Sequence, residues 1–172
     1  MNQETQKTQK FVKIAFMAFA FIFSLVAAIL VFATDFGGWW LGGGYSNYYY
    51  WLGSEIAGFG AKIPLILNGL LFLLLAGVSI FLGILTLVEK EFFLGKLSSF
   101  KILSFGGVAG AIVGFLLTIL SVIILFVIAG DYEVLWLDAG FYGPLIGSLL
   151  VGIFFILYVV LGNIMKPTEA AK

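Results

Sequence analysis

Cysteine, histidine and arginine are all absent from this chain. Without thiols there is no disulfide framework, thiolate nucleophile or thiolate metal ligand. Without imidazole the usual zinc sites, proximal-His haem, Ser-His-Asp catalysis and His proton shuttling are excluded as well. Charge is scarce: nine lysines balance nine acids, and charged residues make up 10% of the chain, against ~25% in an ordinary soluble domain. A net charge of zero supplies no basic field for nucleic acid. No Asn-x-Ser/Thr sequon and no lipidation motif is present.

What is abundant is hydrocarbon. Hydrophobic residues account for 62% of the 172 positions, concentrated in four runs without a charge in their middles. These are Phe11–Ala33, Ile63–Val88, Ile102–Ala129 and Phe141–Met165. As helices, runs of 23 to 28 residues extend ~35–42 Å at ~1.5 Å per residue, more than the ~30 Å of a bilayer's hydrocarbon core. The expected fold is an all-α integral membrane protein, a single four-transmembrane-helix bundle filling residues 1–172. The first run is too long for a signal h-region and lacks a small-x-small cleavage site, so it is expected to be retained as a span.

Lysine sets the expected orientation. Lys7 and Lys10 precede the first run, with Lys13 positioned to snorkel from its first turn. Lys90, Lys96 and Lys101 lie in the connection 89–101, and Lys166 and Lys172 follow the last run. The connections 34–62 and 130–140 hold one lysine, Lys62, against the acids Asp35, Glu55, Asp131, Glu133 and Asp138. Lysine is retained on the cytoplasmic side, so both termini and loop 89–101 are expected inside and the other two loops outside. A multi-pass plasma or cell membrane protein is the expected localisation. Loop 89–101, with Phe92, Phe93, Leu97 and Phe100 among its charges, reads as a short amphipathic segment in the headgroup layer or as a solvated turn.

Membrane helices associate by close packing, which small residues permit. Glycine-zipper-like rows occur in every run: Gly106, Gly110, Gly114 and Thr118 in the third, and Ala20, Ser24 and Ala28 in the first. The fourth run has Gly143 and Gly147; in the second, Gly69, Ala76 and Gly83 recur every seven residues, as in a left-handed seam. These rows are expected to pack the bundle or to join copies of it. Gly58-Phe59 before Pro64-Leu65-Ile66, and Gly140-Phe141 before Pro144-Leu145-Ile146, also hint at a duplicated helix pair.

Candidate contact residues cluster in the outer loops. Trp39, Trp40, Tyr48, Tyr49, Tyr50, Trp51 and Trp136 offer rigid amphipathic rings for a partner, a sugar or a lipid headgroup, or else form an aromatic belt capping the bundle. At bilayer depth the polar inventory is thin: Ser24, Asn68, Ser79, Thr86, Thr118, Ser121, Ser148 and Asn163. Ion-coupled carriers keep ionisable residues at membrane depth, and the middles of these runs have none. Both asparagines are expected to make helix–helix hydrogen bonds worth ~1 kcal/mol. No catalytic, cofactor-binding or metal-binding residue is assigned, and no cofactor is expected.

A longer aromatic first outer loop, a short inner loop and a short acidic second outer loop resemble the layout of the claudin/PMP22 and MARVEL-type tetraspan proteins. The chain has Trp39-Trp40-Leu41 and Trp51-Leu52-Gly53, but neither the Gly-Leu-Trp order of claudins nor their loop cysteines. Its first outer loop is expected to be too short for that family's extracellular sheet. The resemblance implies a scaffold role. The expected function is therefore non-enzymatic lateral assembly in the bilayer, as a homo-oligomer or with other membrane protein subunits. The alternative is a channel, carrier or permeation subunit for a small solute or ion.

Overall fold

The computed structural model describes residues 3–41, 44–48, 59–88, 93–94, 97–129 and 135–164. Four long helices dominate it: α1 (Gln3–Ala33), α2 (Phe59–Val88), α3 (Ser99–Ala129) and α4 (Ala139–Ile164). Each is long and apolar enough to cross a membrane. In hydrocarbon every backbone N–H and C=O must find its partner within the protein, which a helix achieves inside its own segment. The chain is thus a multi-pass membrane protein built as a helical bundle. α1 starts well before the first apolar run because the polar stretch Gln3–Lys10 continues the same helix. α1 packs against α2 and α4, and α3 packs against the same two, so the helices follow one another around the bundle.

The buried positions repeat in alternating steps of three and four in all four helices. In α1 they are Met17, Ala20, Ser24, Ala27 and Val31; in α4, Phe141, Pro144, Ser148, Val151, Phe155 and Tyr158. The same alternation runs from Leu65 to Thr86 in α2 and from Ser104 to Leu125 in α3. A repeat of ~3.5 residues keeps a seam facing the bundle axis and is the signature of left-handed packing. Phe72 and Phe155 are fully buried within one core cluster, and a second cluster forms around Phe36, Leu65, Leu125 and Phe141.

Among the described residues five strands accompany the helices. β1 (Gly37–Leu41) pairs antiparallel with β2 (Gly44–Tyr48), from Gly37 opposite Tyr48 to Leu41 opposite Gly44. β5 (Leu135–Leu137) pairs with the other side of β1, from Gly37 opposite Leu137 to Trp39 opposite Leu135. A three-stranded sheet of order β2-β1-β5 forms because the connection between α3 and α4 contributes its third strand. At the opposite end β3 (Phe93–Leu94) and β4 (Leu97–Ser98) make a minimal hairpin leading into α3, with Phe93 opposite Ser98. Pro64 and Pro144 each occupy the sixth residue of their helix, near the sheet end.

Candidate functional site

Three features join the helices: a small-residue seam, two interhelical hydrogen bonds, and the junction beneath the sheet. In the seam, side chains of neighbouring helices occupy the volume that glycine leaves open. The Phe155 ring lies where a Cβ of Gly107 would stand, and the Phe32 ring does the same at Gly69. A Cβ on Gly110 would be 2.8 Å from Leu75 Cδ2, on Gly143 2.6 Å from Leu30 Cδ1, and on Gly147 2.6 Å from Ala27 Cβ. Gly114 meets Phe72 and Asn68 Oδ1, each at 3.4 Å from that position. Ala20, Ser24, Ala28, Ala76 and Thr118 are buried, and Gly83 lies 3.7 Å from Met17 Cβ by the same measure.

Gly106 departs from the row drawn on the sequence. It faces open space, and buried Gly107 takes its place in the seam. Steps of four advance about 40° around a helix, so a strict four-residue row walks off the facing surface within three steps. The buried line Gly107–Ala111–Gly114–Thr118 corrects that drift with its three-residue steps. The row on the sequence has Gly107 and Ala111 beside it and not in it; the seven-residue repeat recognised in the second run was the signal that would have placed Gly107 in the seam.

Interior hydroxyls are mostly bonded along their own helices. Ser79 donates to Leu75 O at 2.8 Å, Thr118 to Gly114 O at 2.8 Å, Ser121 to Leu117 O at 2.9 Å, and Ser148 to Pro144 O. Two side-chain pairs between described residues bond across helices. Asn68 Nδ2 on α2 donates to Thr118 Oγ1 on α3 at 2.8 Å, as expected of that asparagine. Asn163's side chain lies outside what the structure describes. Thr86 Oγ1 on α2 lies 2.7 Å from Tyr158 Oη on α4 and donates to Leu82 O at 2.7 Å. A threonine hydroxyl has one proton, so Tyr158 is the donor in that pair. Two buried atoms, Asn68 Oδ1 and Ser24 Oγ, have no hydrogen-bond partner within the described residues.

The sheet is fixed to the bundle through main chain. Asp138 N donates to Phe36 O at 3.0 Å, and Gly140 N to Asp35 O at 2.9 Å. Asp138 caps α4: its carbonyl accepts from Phe141 N at 2.9 Å and Tyr142 N at 3.1 Å. Its carboxylate oxygen accepts from Ala139 N at 2.7 Å. Burial, and then the neighbouring charge of Asp138, raise the Asp35 carboxyl above its ordinary pKa. Trp39 and Trp40 stand on β1 opposite Ser46 and Tyr45, Tyr48 stands on β2 opposite Gly37, and half-buried Trp136 stands on β5 opposite Gly38. Tyr49, Tyr50 and Trp51 lie outside the described residues.

The described residues include no group of three or more acids that would hold a metal ion. Among the described residues the buried polar groups are hydroxyls and one amide, which can donate and accept hydrogen bonds but supply no buried acid, base or fixed charge. Compared with known proteins, the chain matches no family model, no curated protein and no solved structure.

Proposed function

We propose that this protein is a non-enzymatic membrane component acting by lateral assembly, with copies of itself or as a small subunit of a larger membrane complex. Both termini and the β3–β4 hairpin face the cytoplasm, and the sheet faces outward from a plasma or cell membrane. The lysine distribution supports that orientation: Lys10, Lys13 and Lys101 lie toward the hairpin end, while Asp35 and Asp138 lie at the sheet end. The tryptophans and tyrosines of β1, β2 and β5 then lie at the outer boundary as an aromatic belt and a surface for partners.

The observation that carries the reading is the sheet itself. It is drawn from both outer connections and seated on the helix ends, and among the described residues β2 pairs on one side only. An unpaired strand edge offers a row of donors and acceptors to a neighbouring chain. The interior favours the same reading, because the small residues are filled by neighbouring side chains and Phe72 and Phe155 lie in the core.

The test is the native mass and composition of the tagged protein, extracted gently from its own membranes. The expected result is a discrete homo-oligomer or a stoichiometric complex, lost on replacing Trp39, Trp40 and Trp51 with alanine while insertion is retained. A monomer without partners, or solute flux above empty-vesicle background after reconstitution, overturns the proposal.

A further inference from the structure

The α1–α4 interface at the lysine-rich end combines a cationic group with an apolar surface. Lys13 belongs to α1 twenty residues before Ala33. That separation is ~30 Å along a helix, the thickness of the hydrocarbon core. With Ala33 at the sheet-side boundary, Lys13 reaches the opposite headgroup layer. Its ammonium lies 5.6 Å from the centroid of the Tyr158 ring on α4. That ring is buried and is oriented by the Tyr158 hydrogen bond to Thr86 on α2.

Lys13 is half-buried, and among the described residues no carboxylate pairs with it. The face of a tyrosine attracts a cation but supplies no counter-charge. A partly desolvated ammonium is better stabilised with an anion beside it. Lys10, one helical turn earlier, adds a second positive charge. Toward the bilayer centre the same interface turns apolar. The Phe154 ring of α4 stacks on Phe19 at 5.4 Å and on Phe23 at 5.9 Å, and Phe19 keeps 48% of its surface exposed.

We propose that this face of the α1–α4 interface is a binding site for an acidic phospholipid, with Lys13 on the headgroup phosphate and Phe19 and Phe154 against an acyl chain. A free phosphate satisfies only the charged part of this surface. A zwitterionic lipid presents the phosphate together with its own cation. The acidic amphiphile matches the cationic and apolar parts together.

The test uses the full chain in mixed micelles containing equal amounts of phosphatidylglycerol and phosphatidylcholine, with bound lipid counted by native mass spectrometry. The parent retains phosphatidylglycerol preferentially. A lysine at an anionic membrane surface is worth ~1 kcal/mol, so Lys13→Gln lowers that preference about fivefold. Lys13→Arg retains it, and Lys7→Gln, on the exposed part of α1, leaves it unchanged. Equal retention of the two lipids by the parent overturns the proposal whatever the variants do. So does an unchanged preference in Lys13→Gln, or full competition by glycerol phosphate, which would mark a site for free phosphate.

Discussion

At the sheet end, α1 and α4 are joined through main chain. Two amide-to-carbonyl bonds run from Asp138 and Gly140 to Phe36 and Asp35, and the Trp136 carbonyl lies 2.5 Å from where a Cβ on Gly37 would stand. At the lysine-rich end the same helices meet through side chains, the Lys13 ammonium over the Tyr158 ring and stacked phenylalanines above it. Side chains can change rotamer to admit an added methyl. Main chain in a bonded ladder cannot move without breaking the ladder. The contrast teaches where glycine is required and where it is only convenient.

Gly140→Ala is the largest expected break in that contrast. Its Cβ would stand 2.6 Å from Asp35 O and 3.0 Å from Phe36 Cα, both main-chain atoms. A loss of about 3 kcal/mol or more is expected on unfolding in mixed micelles, at the upper end of overpacking costs. Gly107→Ala comes next. Only the Phe155 side chain stands in the way, yet that ring is fully buried, so about 1–3 kcal/mol is expected. Gly106→Ala is its control, with nothing within 4 Å of the new methyl. It should cost nothing and gain up to ~1 kcal/mol from helix propensity. Equal losses at positions 106 and 107 would refute the 3.5-residue seam.

The helical part of this architecture was legible in the sequence, because a bilayer imposes a length and an uninterrupted apolar run satisfies it. The apolar runs expected to end at Ala33, Val88 and Ala129 coincide with the ends of α1, α2 and α3. The sheet was not legible. Gly37-Gly38-Trp39-Trp40-Leu41 shows no alternation of apolar and polar residues, and one of its partners lies about a hundred positions later in Leu135-Trp136-Leu137. The Thr86–Tyr158 bond was half visible. Thr86 stood out as an interior hydroxyl, but nothing in a single sequence pairs it with a tyrosine 72 residues away.

The two interhelical hydrogen bonds extend the comparison to the interior. Thr118→Val deletes the acceptor of the Asn68 amide, adding a second unsatisfied group on a residue whose Oδ1 already lacks a partner among the described residues. Tyr158→Phe deletes the donor but leaves Thr86 bonded to Leu82 O and the ring beneath Lys13. Hydrogen bonds inside membrane bundles average about 0.6 kcal/mol, with values up to about 1.7. Thr118→Val is expected near the top of that range and Tyr158→Phe near its middle. Unfolding of both variants in the same micelles, beside the parent, measures the difference. A larger loss for Tyr158→Phe would reverse the ranking of the two bonds.

The smallest expected effect belongs to Asp35, and its sign follows from its surroundings. Burial, then the charge of Asp138, raise its carboxyl pKa in the folded protein above the unfolded value. Between the two values the folded state holds more proton than the unfolded one, so stability falls as pH rises. The favourable contribution is therefore full below the ordinary carboxylate range and is lost as pH rises through the raised pKa of Asp35. Solvent screens this half-buried group, which keeps the effect below those of the packing variants. Asp35→Asn should flatten the dependence and match or exceed the parent's stability at neutral pH. Asp138→Asn retains a good capping residue while removing the neighbouring charge, so part of the slope should survive through burial alone. Thermal unfolding of the three proteins across the acidic range reads this directly. A slope unchanged in Asp35→Asn would assign the acid response to another carboxylate and leave the junction held by its main-chain bonds, indifferent to the charges beside them.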